Sequence, residues 1–184
     1  MLFRSGAGFQ TQEMPDLLRS TNVTFRPIDV KFGPDGALYI ADWSNPIIQH
    51  GEVDFRDPRR DKEHGRIWRV TAKGRPLAKP RDLTQLSTIE LLDRTLSKNG
   101  WEQEQARVVL SQLAGKRGKT SRVPVDRLLA EATAWSAKQS DPRAKLEVMW
   151  LHEAFEKSAD ALVNELISAK DARLRTAAAR QLSR

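Results

Sequence analysis

Two histidines, His50 and His64, flank a stretch that carries Glu52, Asp54, Asp57 and Asp61. An imidazole beside a carboxylate can act as a general base or a metal ligand. His50-Gly51-Glu52 has the spacing of a zinc ligand followed by a general acid, but such sites need a Cys-x-x-Cys pair. The chain has no cysteine, which also removes disulfides, thiolate nucleophiles and cysteine-ligated zinc. The two histidines therefore read either as hydrogen-bonded loop residues or as side chains lining an open face, and no metal site is assigned. Asp42-Trp43 ends a strand and reads as structural. Arg66 follows a glycine at the start of another run; it reads as a ligand for an anionic group or as the partner of Asp61. The stretch from Asp54 to Asp61 reads as an exposed ion-pair network, each pair contributing little. No nucleophile elbow, phosphate loop or dinucleotide fingerprint is present, so catalytic and cofactor-binding residues are left unassigned.

The elements that must position these residues are strands. Ile28-Asp29-Val30-Lys31-Phe32 alternates apolar and polar residues as a half-buried strand does. Gly33-Pro34-Asp35-Gly36 supplies turn chemistry, with Pro at the first central position and Gly offering positive φ. Ala37 to Ala41 returns as the second strand of a hairpin, Gly65 to Thr71 reads as a third, and Asn22 to Phe25 as a fourth. The 23 residues between Ala41 and Gly65 are long for a loop, and Trp43, Ile47, Ile48, Val53 and Phe55 make them too apolar for a disordered linker. They are expected to pack on something.

Beyond Gly74 the pattern changes to helices. Ser87-Thr88-Ile89-Glu90 is a capping box, and Lys98-Asn99-Gly100 ends the helix that it opens. Further helices are expected from Trp101 to Leu113, Val125 to Ala137, Asp141-Pro142 to Lys157, Ala159 to Ser168 and Ala172 to Leu182. His152 sits beside Trp150 on one of them and reads as packing. Gln105 to Leu113 and Leu174 to Leu182 resemble one another, as stacked helical pairs of an α-solenoid do; a plain six-helix bundle is the alternative. The net charge of +7 is local: Arg56 to Arg81 carries ten Lys/Arg and three Asp/Glu. These bases interleave with acids and lack a stacking aromatic series, so nucleic acid is not expected as a partner. No apolar run approaches the roughly 20 residues needed to span a bilayer, and no signal peptide is read in Met1 to Gln10.

The fold class is thus α+β: antiparallel strands amounting to a partial β-propeller blade, then HEAT-like helical pairs. Three or four strands leave sheet edges and apolar faces open, so neighbouring blades are expected outside this sequence. The domain reading is an extension over 1–21, a last propeller blade over 22–75 with the long loop 42–64, a linker over 76–86 and helical repeats over 87–184. Leu2-Phe3-Arg4-Ser5 matches the translation of a common sequencing-adapter oligonucleotide and is expected to be foreign to the rest of the chain.

Phe25 to Trp43 resembles the final blade of propellers related to glucose/sorbosone dehydrogenases and NHL-repeat proteins. Asn45 to Gly51, with His64-Gly65-Arg66-Ile67-Trp68-Arg69-Val70, resembles the large membrane-bound dehydrogenase or haem-binding proteins of planctomycetes. Leu146 to Phe155 is similar to the repeat region of that family. The resemblance implies a periplasmic or exported sugar or polyol dehydrogenase that passes electrons to a cytochrome c domain. It implies haem c, and a quinone cofactor with calcium, in the full-length proteins, with the missing blades and the cytochrome domain as partners. Without a Cys-x-x-Cys-His motif haem cannot be carried over to any residue here, so no cofactor is expected in this chain and it is expected to be inactive alone. An interaction module, with the helical pairs presenting a protein-binding surface, is the alternative.

Overall fold

Gly33 to Gly36 turns the chain as its composition predicts. The Gly33 N–H donates to Ala37 O at 2.8 Å and the Gly36 N–H to Gly33 O at 3.0 Å, with Gly36 at φ +77°. Gly33 is required for a second reason: a Cβ there would lie 2.2 Å from Tyr39 Cε2. Asp35 ties the turn down, accepting from the Ala37 N–H at 3.0 Å and the Tyr39 hydroxyl at 3.2 Å. In this computed structural model, which describes residues 2–5, 8–48, 51–115 and 122–183, the turn joins two strands of an antiparallel three-stranded sheet.

Two antiparallel strands, β1 (Leu2–Ser5) and β2 (Gly8–Thr11), form a hairpin. The three-stranded sheet has the order β3-β4-β5, with β3 at Pro27–Phe32, β4 at Leu38–Asp42 and β5 at Arg66–Val70. Its register pairs Val30 with Ile40 and Ile40 with Trp68, and a bulge interrupts β3 between Pro27 and Asp29. The expected fourth strand at Asn22 to Phe25 is instead a turn, closed by the Phe25 N–H on Asn22 O at 3.0 Å. Thr24 makes that turn, donating its own N–H and hydroxyl to Asn22 Oδ1 at 2.9 Å each.

Directly paired residues share a face, so Phe32, Leu38 and Val70 line one side with Val30, Ile40 and Trp68, while Ala41 and Ile67 lie on the other. The alternation in β3 predicted half burial, yet all six residues of β3 are exposed. Alternation fixes which residues share a face, while burial depends on what lies against each position: Ile40 in the middle strand is 7% exposed, on the same face where the edge-strand residues stay open. Val30 is 52% exposed, Phe32 62% and Ile67 69%.

The chain divides into two compact units, Pro15–Arg81 and residues 1–14 with 82–184. The expected linker is short. The Ala78 N–H donates to Asp35 O at 2.9 Å within the first unit, and Leu83, in a 3₁₀ turn at Leu83–Gln85 capped by Asp82, is buried in the helical core. Six helices follow among the described residues: α1 (Thr88–Thr95), α2 (Gly100–Leu113), α3 (Val125–Ser136), α4 (Arg143–Ala154), α5 (Asp160–Ile167) and α6 (Ala172–Leu182).

The capping box forms as read, with the Ser87 N–H on Glu90 Oε2 at 2.9 Å. Asn99, expected to end a helix, caps α2 by accepting from the Trp101 N–H at 3.0 Å. Gly115 follows α2 at φ +84°, as a helix stop requires. α4 ends at Ala154, three residues before the expected Lys157, where Glu156 takes φ +57°. His152 is only partly buried, and its Nδ1 donates to Ser158 O at 2.7 Å. It ties off α4 rather than packing beneath it.

Consecutive helices pack in pairs, α1 on α2, α3 on α4 and α5 on α6. One core gathers Leu91, Leu92, Leu110, Leu128, Trp135 and Val148; a second gathers Leu146, Met149, Val163, Leu166 and Leu174. Two side-chain contacts tie polar groups into these cores: Trp135 Nε1 donates to Asp93 Oδ1 at 2.7 Å, and Arg107 makes a bidentate pair with buried Glu147 at 2.8 and 2.6 Å. The helical unit closes its own interior and the sheet does not. Leu128→Ala is expected to destabilise the helical unit by about 2–5 kcal/mol. Ile67→Thr on the open sheet face should change stability by no more than about 0.5 kcal/mol. Denaturant unfolding followed by circular dichroism measures both.

Candidate functional site

At one end of the sheet, β3 begins, β4 ends and β5 begins, and the long loop starts and finishes there. Asp42, the last residue of β4, is 3% exposed. Its Oδ1 accepts from the Arg26 N–H at 2.8 Å and the Ser44 N–H at 2.9 Å. Its Oδ2 accepts from Arg66 Nε at 2.9 Å and Trp68 Nε1 at 2.8 Å. Burial raises the carboxyl's pKa, but these four donors outweigh it and hold the group down at about 2. Ser44 takes φ +56° to aim its N–H at the carboxylate. The Trp43 N–H donates to Arg26 O at 2.9 Å, and its side chain is half-buried.

Arg66 serves this centre, not Asp61. Besides Asp42 it donates from Nη2 to Thr24 Oγ1 at 3.0 Å, and its guanidinium lies 5.6 Å from the Trp68 ring centroid. Phe25 meets the same indole edge-on at 6.1 Å. The basic charge that could have faced an anionic ligand is thus committed to the fold.

The long loop is built around a different charge. Arg60 is 7% exposed. Its Nε donates to Asp54 O at 3.0 Å, Nη2 to Val53 O at 2.9 Å and Nη1, weakly, to Ile47 O at 3.4 Å, with the Phe55 ring centroid 5.5 Å away. Asn45, also buried, donates from Nδ2 to Asp61 O at 3.0 Å and accepts from the Ile47 N–H at 3.1 Å. Alongside the expected ion pairing over 54–61, the loop is wound around one guanidinium. Within it Asp57 pairs with Arg59, whose side chain and N–H hold the Asp57 carboxyl at about 2; Asp54 accepts from the Arg56 N–H at 2.8 Å. A charged residue inside a charged run gives no sign in the sequence that it will be buried. The apolar content of the loop was the one available hint.

His64 meets Asp61, with Nδ1 at 3.1 Å from both carboxylate oxygens. Asp61 also accepts the Glu63 and His64 N–H groups at 3.0 Å each; these bonds, the backbone ones foremost, lower its carboxyl's pKa. The histidine side chain is 74% exposed. Asp42, Trp43, Arg66 and His64 thus come to one end of the sheet, and His50 lies outside the described residues. Among the described residues no three carboxylate, imidazole or thiol groups converge on a point where a metal would bind. The chain's lack of cysteine offers haem c no attachment, and no residue is assigned to a quinone.

A family model described as a domain of unknown function, DUF7133, matches residues 2–74. Comparison with curated proteins finds no match, and neither does comparison with solved structures.

Asp42 fixes a pH dependence. With its carboxyl depressed from 3.8 to about 2, its contribution to stability is complete above the unfolded value and is lost as pH falls toward 2. Asp42→Asn is expected to cost the sheet unit about 3 kcal/mol at pH 7 and to remove that acid-dependent loss; urea unfolding at pH 7 and near pH 2.5 tests both. Arg60→Met strands the loop carbonyls, and tryptic cleavage after Arg56 and Arg59 is expected to accelerate at least ~10-fold.

Proposed function

We propose that residues 22–75 form one blade of a β-propeller of the sugar or polyol dehydrogenase type. In this reading the other blades and an electron-accepting cytochrome c domain lie outside these 184 residues, and the helical pairs are HEAT-like linkers between them. The observation that carries it is the sheet with apolar side chains exposed on both faces, Val30 and Phe32 on one and Ile67 on the other, between 52% and 69% exposed. Propellers bury such faces by stacking blade on blade, whereas a lone sheet leaves them in water. The work of this chain is then positional. Asp42 locks three strand ends, Arg60 shapes the loop, and the loop presents His64 at the end of the blade. Haem c would attach elsewhere, and a quinone with calcium would draw its ligands mainly from other blades. Such a protein would act in the periplasm or beyond it. No described helix is long and apolar enough to cross a membrane.

A second reading, a HEAT-type interaction scaffold, has one observation in its favour. Trp150 is 39% exposed, with the Arg107 guanidinium 5.8 Å from its ring centroid and Arg107 itself fixed by Glu147. A rigid aromatic beside an arginine is the composition of an interface hot spot.

Dye-linked oxidation of aldoses and polyols separates the readings when run on this chain alone and on the polypeptide extended by its flanking coding sequence. Turnover is expected only for the extended protein. Turnover by the 184-residue chain, or flanking sequence that encodes neither further blades nor a Cys-x-x-Cys-His motif, overturns the proposal.

A further inference from the structure

Among the described residues β3 is an edge strand of its sheet, and its side chains are arranged to complement a copy of themselves. The Gly33 N–H bonds Ala37 O across the hairpin, so odd-numbered residues of β3 direct their backbone groups toward β4 and even-numbered ones outward. The Val30 N–H agrees, bonding the carboxylate of its neighbour Asp29 at 2.8 Å. Outward backbone groups therefore belong to Val30 and Phe32, 52% and 62% exposed, while the bulge between Pro27 and Asp29 interrupts the alternation at Ile28, itself 67% exposed.

We propose that β3 pairs antiparallel with β3 of a second copy of this chain, about a two-fold axis through Val30. In this register Val30 faces Val30 of the other copy as a hydrogen-bonded pair that uses the outward N–H and C=O groups, and the Ile28 side chain lies opposite Phe32. Asp29 then faces Lys31 twice, at the non-hydrogen-bonded positions where side chains come closest. One strand thereby supplies both halves of two ion pairs and two aliphatic–aromatic pairs, as an isologous contact requires. The Asp29 carboxylate leaves the Val30 N–H for the opposing Lys31, and the carbonyl of the opposing Val30 takes its place. β5, the other edge, cannot do this. Centred on Trp68, self-pairing sets Arg66 against Val70 and Arg69 against Ile67, four cations with no acid between them. The contact is small, so the dimer is weak and concentration-dependent. It rests on residues 27–32 alone and not on the blade reading, whose test is enzymatic.

Sedimentation velocity of the full chain between about 1 and about 100 µM tests the pairing. The expected result is a reversible dimer. Asp29→Lys alone or Lys31→Asp alone sets like charges opposite one another twice and should weaken it at least tenfold, while the double exchange D29K/K31D restores it. Because the chain has no cysteine, Val30→Cys should cross-link to itself under oxidation, and Val23→Cys, 72% exposed but off the strand, should not. A monomer throughout the range, a dimer indifferent to the single reversals, or a double exchange that fails to restore it overturns the proposal.

Discussion

A carboxylate taken out of water must be given donors, and at Asp42 those donors come from three different stretches of chain. Arg26 supplies a backbone N–H at the start of β3, Ser44 another just past β4, and Arg66 and Trp68 supply side chains from β5. None is more than a few residues from a strand end. The demand of one buried charge therefore sets where β3 starts, where β4 stops and how β5 enters. Ser44 adopts a left-handed backbone to satisfy it, a conformation that costs a non-glycine residue free energy and persists only where its surroundings impose it.

Three buried charges are settled in three ways. Asp42 is met mostly by neutral or singly shared donors, Arg60 by backbone carbonyls and an aromatic ring, and Glu147 by one arginine in a bidentate pair. The choices follow the local supply. A strand end offers free N–H groups, a winding loop offers carbonyls, and facing helices offer only side chains. The loop solution has a structural consequence, because a guanidinium that gathers carbonyls from Ile47, Val53 and Asp54 gives an irregular segment an interior of its own.

How much of this the sequence disclosed depended on the range of the interaction. The capping box at Ser87, the turn at Gly33 to Gly36 and the glycine stop at Gly115 rest on bonds within a few residues, and they formed as read. The six helices and the three strands β3, β4 and β5 followed from apolar periodicity to within about three residues. The hairpin of β1 and β2 was not foreseen, and the strand expected at Asn22 to Phe25 is a turn. Burial did not follow, because Val30 and Phe32 alternate correctly yet remain in water, their exposure being fixed by whatever layer lies against them. Arg66 reads in the sequence either as an anion ligand or as the partner of Asp61, five residues away; in the structure it pairs with Asp42, 24 residues away, since only the folded register brings that carboxylate near. Asp42 itself was legible as a structural residue at a strand end, while Arg60 was hidden within a run of like residues.

The contrast between the units then has a physical reading. Helices satisfy their own backbones, so the helical unit needed only apolar stripes, and Leu91, Leu110, Leu128 and Met149 close its cores almost completely. A sheet must protect edges as well as faces, and here the two are treated differently. The faces carry Val30, Phe32 and Ile67 unguarded, while β5 carries Arg66 and Arg69, and on β3 the Asp29 carboxylate occupies an outward N–H. Charge on an edge discourages indiscriminate strand addition. A sheet so built can be stacked against by other sheets, and its edge admits only a strand whose charges answer its own.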